Sequence, residues 1–200
     1  MEKIEITKNS LCYPEFESLI IIMAALSTAI EYKIKGQAHY NPGDYFTCEC
    51  LALKKEIRLP LHGPIEAVIK DKKPDIIELT VVDLSPTTMK HTFETKALIK
   101  TFEYLITPFF ISFYERNYPL AEKKFLKKYS SWPSAWRMGW VFRNALAHNG
   151  QVYFKELKTP PISWGNLTIS PADQHKSLFS TFVNIGDILF LLLDMEKELK

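Results

Sequence analysis

The sequence predicts a mainly α fold, a helical bundle with a small β-hairpin inserted before the last helix. Three observations carry this. Apolar residues recur at helical spacing over the stretches 16–34, 91–116, 133–148 and 177–198. The β-type runs that interrupt the pattern, 151–154, 162–164 and 167–169, fall together just ahead of the final stretch. The chain has 200 residues, 46% of them hydrophobic, enough for one domain over 1–200 with a proper core.

In chain order, 16–34 reads as a buried amphipathic helix ended near Gly36. Residues 36–90 hold little pattern: Asn41-Pro42-Gly43-Asp44 is a turn, and Leu59-Pro60 and Gly63-Pro64 break anything long. Short helices are expected over 44–56 and 64–72, while 76–84 fits a strand or a helix equally well. In the 91–116 helix Pro108 predicts a kink, and 119–129 reads as a shorter basic helix. Ser131-Trp132-Pro133 forms a helix start, serine as cap and proline in the first turn. That helix runs to His148, where Asn149-Gly150 supplies a left-handed stop. The β-type runs form a hairpin or meander around Gly165-Asn166, and 177–198 closes the bundle.

Composition excludes several classes. A formal net charge of +2 is not the footprint of a protein that coats nucleic acid by bulk electrostatics, so any RNA contact has to be local. The N-terminal residues lack the basic-then-apolar pattern of a secretion signal, and the apolar run 19–26 is far too short to span a bilayer, so a cytoplasmic chain is expected. Cys12, Cys48 and Cys50 read as free thiols; Cys48-Glu49-Cys50 has the look of a soft-metal pair but no second cluster accompanies it, so neither metal nor cofactor is expected. His39, His62, His91 and His175 stand apart from ligand-type partners and are assigned no role.

The segment that carries chemistry is Arg143-Asn144-Ala145-Leu146-Ala147-His148-Asn149-Gly150. A fixed guanidinium suits a phosphate, and imidazoles exchange protons near neutrality. Projected at about 100° per residue, Trp136, Met138, Trp140, Val141, Phe142, Ala145 and Leu146 make most of the helix apolar. Arg137, Asn144 and His148 form a polar stripe within roughly 40°, and Arg143 points about 140° away from His148. The plain structural reading is a histidine favoured by the helix dipole, an ordinary Asn-Gly cap and an arginine bound to a carboxylate such as Asp187 or Asp194. Lys123, Lys124, Lys127 and Lys128 are a solvated helix face or the rim of an RNA groove, and Trp132, Trp136 and Trp140 are spaced for core packing.

Arg143, the polar Asn144 and His148 at a helix end, with the β run and apolar helix that follow, resemble the HEPN superfamily of small helical proteins. The likeness is strongest over 133–150, looser over 91–198 and absent before residue 90. It implies a metal-independent endoribonuclease of a defence or toxin system, active as a homodimer in which two copies of the stripe face each other, with RNA as substrate and an antitoxin or defence component as partner. His148 would move a proton, Arg143 would stabilise the extra phosphate charge, Asn144 would orient either, and Arg137 would hold a neighbouring phosphate. The alternative is a dimeric non-catalytic module of the same type that binds nucleotide, RNA or a partner protein.

Overall fold

Along Ile76–Asp83 every second side chain is buried: Ile77, Leu79 and Val81 are covered while Ile76 and Glu78 are exposed. That period of two is a half-buried strand, and burying each such side chain contributes about 1.5–3 kcal/mol. The computed structural model describes residues 2–36, 43–70, 72–84, 96–126 and 129–200. The helical bundle expected from the sequence is overturned: the described residues form an α+β arrangement in which helices stand beside a four-stranded and a two-stranded sheet. The chain divides into two compact units, one of 1–48 and 56–83, the other of 49–55 and 84–200.

The first unit holds β1 (Glu2–Thr7), α1 (Tyr13–Lys35), β2 (Tyr45–Cys50, which runs on into the second unit), β3 (Lys55–Pro60), α2 (His62–Ile69) and β4 (Ile76–Asp83). Sheet order is β1-β4-β3-β2, with β1 antiparallel to β4 in a register that sets Glu2 opposite Val81 and Thr7 opposite Ile76. Tyr13, Phe16, Leu19, Ile20, Met23 and Ala24 form the buried stripe of α1, which joins Ile57, Leu59, Ile77, Leu79 and Val81 in this unit's core. Gly36, at φ 71°, ends α1 and returns its N–H to Tyr32 O. The helix expected over 44–56 is instead β2 and the start of β3. Cys48 and Cys50 are buried there because residues two apart share one face of a strand.

The second unit contains α3 (Lys96–Phe125), α4 (Ser134–Ala147), β5 (Ile162–Trp164), β6 (Leu167–Ile169), α5 (Leu178–Thr181) and α6 (Ile185–Leu199). Helices α3, α4 and α6 pack on one another, and β5 lies against α4. The two helices expected over 91–116 and 119–129 are one. Pro108 and Pro119 sit inside α3, each depriving a carbonyl four residues back of its partner, and both residues so affected, Tyr104 and Glu115, are exposed to water. The single helix expected over 177–198 is two. Asn184 starts α6 afresh, its N–H held by Asp187 Oδ2 at 2.7 Å. Ser131 lies in a 3-10 turn, Tyr129–Ser131, and does not cap α4; the Ala135 N–H goes to Glu198 Oε1 at 3.4 Å.

Asp187 is fully buried. Besides Asn184 it accepts the Ala52 N–H at 2.8 Å and the Cys50 thiol at 3.2 Å. The tip of the β2–β3 hairpin is thereby fixed to the start of α6. Gly186 is required at this contact, since a Cβ there would stand 2.2 Å from Glu49 O.

Candidate functional site

Helix α4 is anchored by aromatic packing at its start. Trp132 and Trp136 are buried, ring centroids 5.9 Å apart, and Trp136 Nε1 donates to Met195 O at 2.9 Å. Trp140 stacks against Tyr129, centroids 4.8 Å apart. Trp132 and Trp136 thus serve the core, as their spacing predicts, while Trp140 is half-buried at its edge.

The helix stops where the sequence places the stop. His148 donates its backbone N–H to Asn144 and Ala145, Asn149 and Gly150 take φ of 57° and 73°, and Gly150 N–H returns to Ala145 O at 2.8 Å. Residues 150–154 then run antiparallel beside 174–178. Leu178 N–H donates to Gly150 O at 2.7 Å, Val152 N–H to Lys176 O at 2.9 Å and His175 N–H to Val152 O at 2.9 Å, while Phe154 N–H meets Gln174 Oε1 at 2.8 Å. Of the β-type run 151–154, only Gln151 forms a bridge, to Ser177, whereas β5 and β6 form the hairpin itself.

This pairing builds a concavity of about 260 Å³ lined by His148, Asn149, Gln151, Val152, Tyr153 and His175. The His148 ring lies against Tyr153 with centroids 4.2 Å apart and 32° between planes, while both histidines remain exposed. His175 has φ 68°, a left-handed backbone uncommon for a side-chain-bearing residue. The turn before it is held by Asp173, whose carboxylate accepts Lys176 Nζ at 2.8 Å, Ser170 N–H at 3.0 Å and Ser170 Oγ at 3.1 Å. The bond from Lys176 holds the Asp173 carboxyl below the usual carboxylate range.

Arg143 and Asn144 are not among the lining residues. Arg143 Nε donates to Glu115 Oε1 of α3 at 2.6 Å, and Nη1 reaches Asn144 Oδ1 at 3.5 Å. The carboxylate that binds the arginine is thus Glu115; Asp187 is engaged with the hairpin tip, and Asp194 accepts Trp164 Nε1 at 2.8 Å. With side chains 37% and 49% exposed, the Arg143–Glu115 pair falls in the class that contributes about 0–1 kcal/mol, and a phosphate can compete for this guanidinium at little cost to the fold. Arg137 lies about 16 Å along the helix from His148. Its carbonyl accepts the Tyr129 hydroxyl, and its buried Nε has no hydrogen-bond partner. Burial keeps the neighbouring Glu198 carboxyl above its ordinary range, partly offset by bonds from the Ala135 and Trp136 N–H groups and by the Arg137 charge.

Lys123 and Lys124 are exposed in the last turn of α3, and Lys124 Nζ donates to Leu199 O at 3.0 Å, capping α6. Lys127 and Lys128, like His39 and His91, lie outside the described residues. The three cysteines are buried and none is in a disulfide, and burial pushes the Cys48 thiol up to about 12. Among the described residues no three His, Cys, Asp or Glu side chains are placed to hold a metal ion, and no helix is long and apolar enough to cross a membrane.

Sequence reasoning missed His175, which comes to His148 only through strand-like pairing of distant segments. The one local signal was the turn Ser170-Pro171-Ala172-Asp173 ahead of it, with serine and aspartate at capping spacing. A comparison with known protein families, curated proteins and solved structures gives no match to this chain.

Proposed function

We propose that this chain is a metal-independent endoribonuclease of the HEPN type, a cytoplasmic homodimer that cleaves RNA through its own 2′-hydroxyl and acts with an antitoxin or defence partner. The observation that carries the reading is the state of the motif. His148 is exposed at a helix end and lines a concavity, while Arg143 is held by a solvent-exposed ion pair with Glu115 and a long bond to Asn144. An imidazole there can exchange a proton with the attacking or leaving oxygen, and a guanidinium can meet the charge that accumulates on phosphorus. Within one protomer Arg143 turns toward Glu115 and His148 toward Tyr153. The site therefore combines Arg143 of one copy with His148 of the other across a two-fold axis.

Incubation with single-stranded RNA in EDTA tests this directly. Cleavage should persist and leave 2′,3′-cyclic phosphate ends, and a 2′-deoxy nucleotide at the cut site should be inert. His148→Ala and Arg143→Ala should each lose activity by ~10²–10⁴-fold. Mixed together they should recover about a quarter of the wild-type sites, because half of the random dimers carry one intact composite site. Products bearing 5′-phosphates would overturn the mechanism. Wild-type protein inert on RNA would leave the non-catalytic binding module in its place.

A further inference from the structure

We infer that His175 is the second proton-transfer group of this site, so that His148 and His175 work as an acid–base pair within one protomer. The inference rests on the ribonuclease reading above and adds a catalytic residue that the motif does not contain.

Three independent observations meet at this position. His148 and His175 line the same concavity, although they come from a helix end and from a turn far along the chain. The position of His175 is specified: its backbone N–H is bonded to Val152 O, and Asp173 clamps the preceding turn through Ser170 and Lys176. It also holds a left-handed φ of 68°, a conformation that disfavours most side chains and persists where the surroundings impose it. On the other wall, Tyr153 lies against the His148 ring and limits its rotation. Two exposed imidazoles held from separate backbones beside a shared space form an arrangement that can donate and accept a proton in one step.

The chemistry balances without any further reactant. The 2′-oxygen bonds to phosphorus as the bond from phosphorus to the 5′-oxygen breaks. One imidazole takes the 2′-hydroxyl proton, and the other, entering as imidazolium, gives its proton to the departing 5′-oxygen. Water then opens the cyclic phosphate with the two roles exchanged, which returns both rings to their starting states. Arg143 of the partner copy supplies charge stabilisation but no proton, so a lone His148 would leave one of the two transfers to solvent.

The test is the pH profile of RNA cleavage by the full-length wild type and by His175→Asn. Asparagine tolerates the left-handed backbone, so the variant keeps the turn and loses only the imidazole. Among the lining residues Tyr153 is the other titratable group, and the Asp173–Lys176 ion pair flanks His175 along the chain. Tyr153→Phe keeps the ring that lies against His148 and removes only the hydroxyl; a limb lost in this variant would belong to the phenol and overturn the pair. Wild-type activity should be bell-shaped in pH, and His175→Asn should lose ~10²–10⁴-fold at the optimum and one limb of the bell, with an unchanged melting temperature. A wild type that cleaves RNA alongside a His175→Asn variant with full activity and both limbs intact would overturn the inference and leave the ribonuclease standing. A wild type that cleaves no RNA would remove both.

Discussion

The two ends of α4 are made of opposite materials. Its start is buried in rings, with Trp132 and Trp136 packed among Tyr114, Tyr118, Phe125 and Tyr129. Its end presents an arginine, an amide and an imidazole to water, held by an exposed ion pair and a left-handed stop. The aromatic start supplies rigidity; near the end Phe142, Ala145 and Leu146 stay in the core, while the polar side chains of Arg143, Asn144 and His148 contribute little to folding and can be exchanged for function with the helix left in place.

Substitutions at the two ends should separate cleanly. Trp136→Ala removes a fully buried ring and its bond to Met195 O, and should cost about 3–5 kcal/mol in urea denaturation, while His148→Ala should stay within about 0.5 kcal/mol of wild type. Equal losses at the two positions would erase the contrast.

Glycines ask the same question of backbone and side chain. Gly186→Ala drives a methyl against the Glu49 carbonyl, which cannot retreat, and should cost about 1–3 kcal/mol or more. Gly139→Ala, inside α4, meets only the tip of Met195, at 2.7 Å from its sulfur, and a methionine can change rotamer. Thermal melts should rank Gly186→Ala well below Gly139→Ala, and the reverse order would show that α4 is less yielding than the hairpin anchor.

The smallest effect concerns the turn that carries His175. The folded-state pKa of Asp173 is lowered, first by the bond from Lys176, so the stability it contributes is present above its unfolded value of about 3.9 and disappears as pH falls through the lower folded value. Asp173→Asn should cost about 1 kcal/mol near neutrality, discounted because Lys176 is half exposed, and the gap to wild type should close as the pH falls below about 4. A gap that widens in acid would reverse the assigned sign.

Helix α4 was legible because its signals are local: a helical apolar pattern, then Asn149-Gly150. The sheet was not. Its strands are six to eight residues long, with two or three inward apolar positions each, too few to assert a period against the surrounding prolines and glycines. In β2 the inward positions are Cys48 and Cys50, which invite a metal-ligand reading when in fact a spacing of two places both on the covered face. Pro119 misled in the other direction, splitting on paper a helix that continues because the lost hydrogen bond faces water. The Arg143–His148 divergence was readable from helix geometry alone. Neither Glu115 nor His175 was, since each reaches the motif through tertiary packing that no neighbouring residue announces.

The buried carboxylate of Asp187 has a consequence for the order in which this chain acquires its structure. Its two hairpin donors lie 137 and 135 residues earlier, so a growing chain presents Cys50 and Ala52 long before their acceptor is made. Closing so large a loop adds only modestly to the equilibrium cost, because that cost grows with the logarithm of length, but it makes the contact a late event in folding. The helical unit is therefore not a module that can be cut out at residue 84: separated from 49–55, the Asp187 carboxyl at the start of α6 would lose two of its donors.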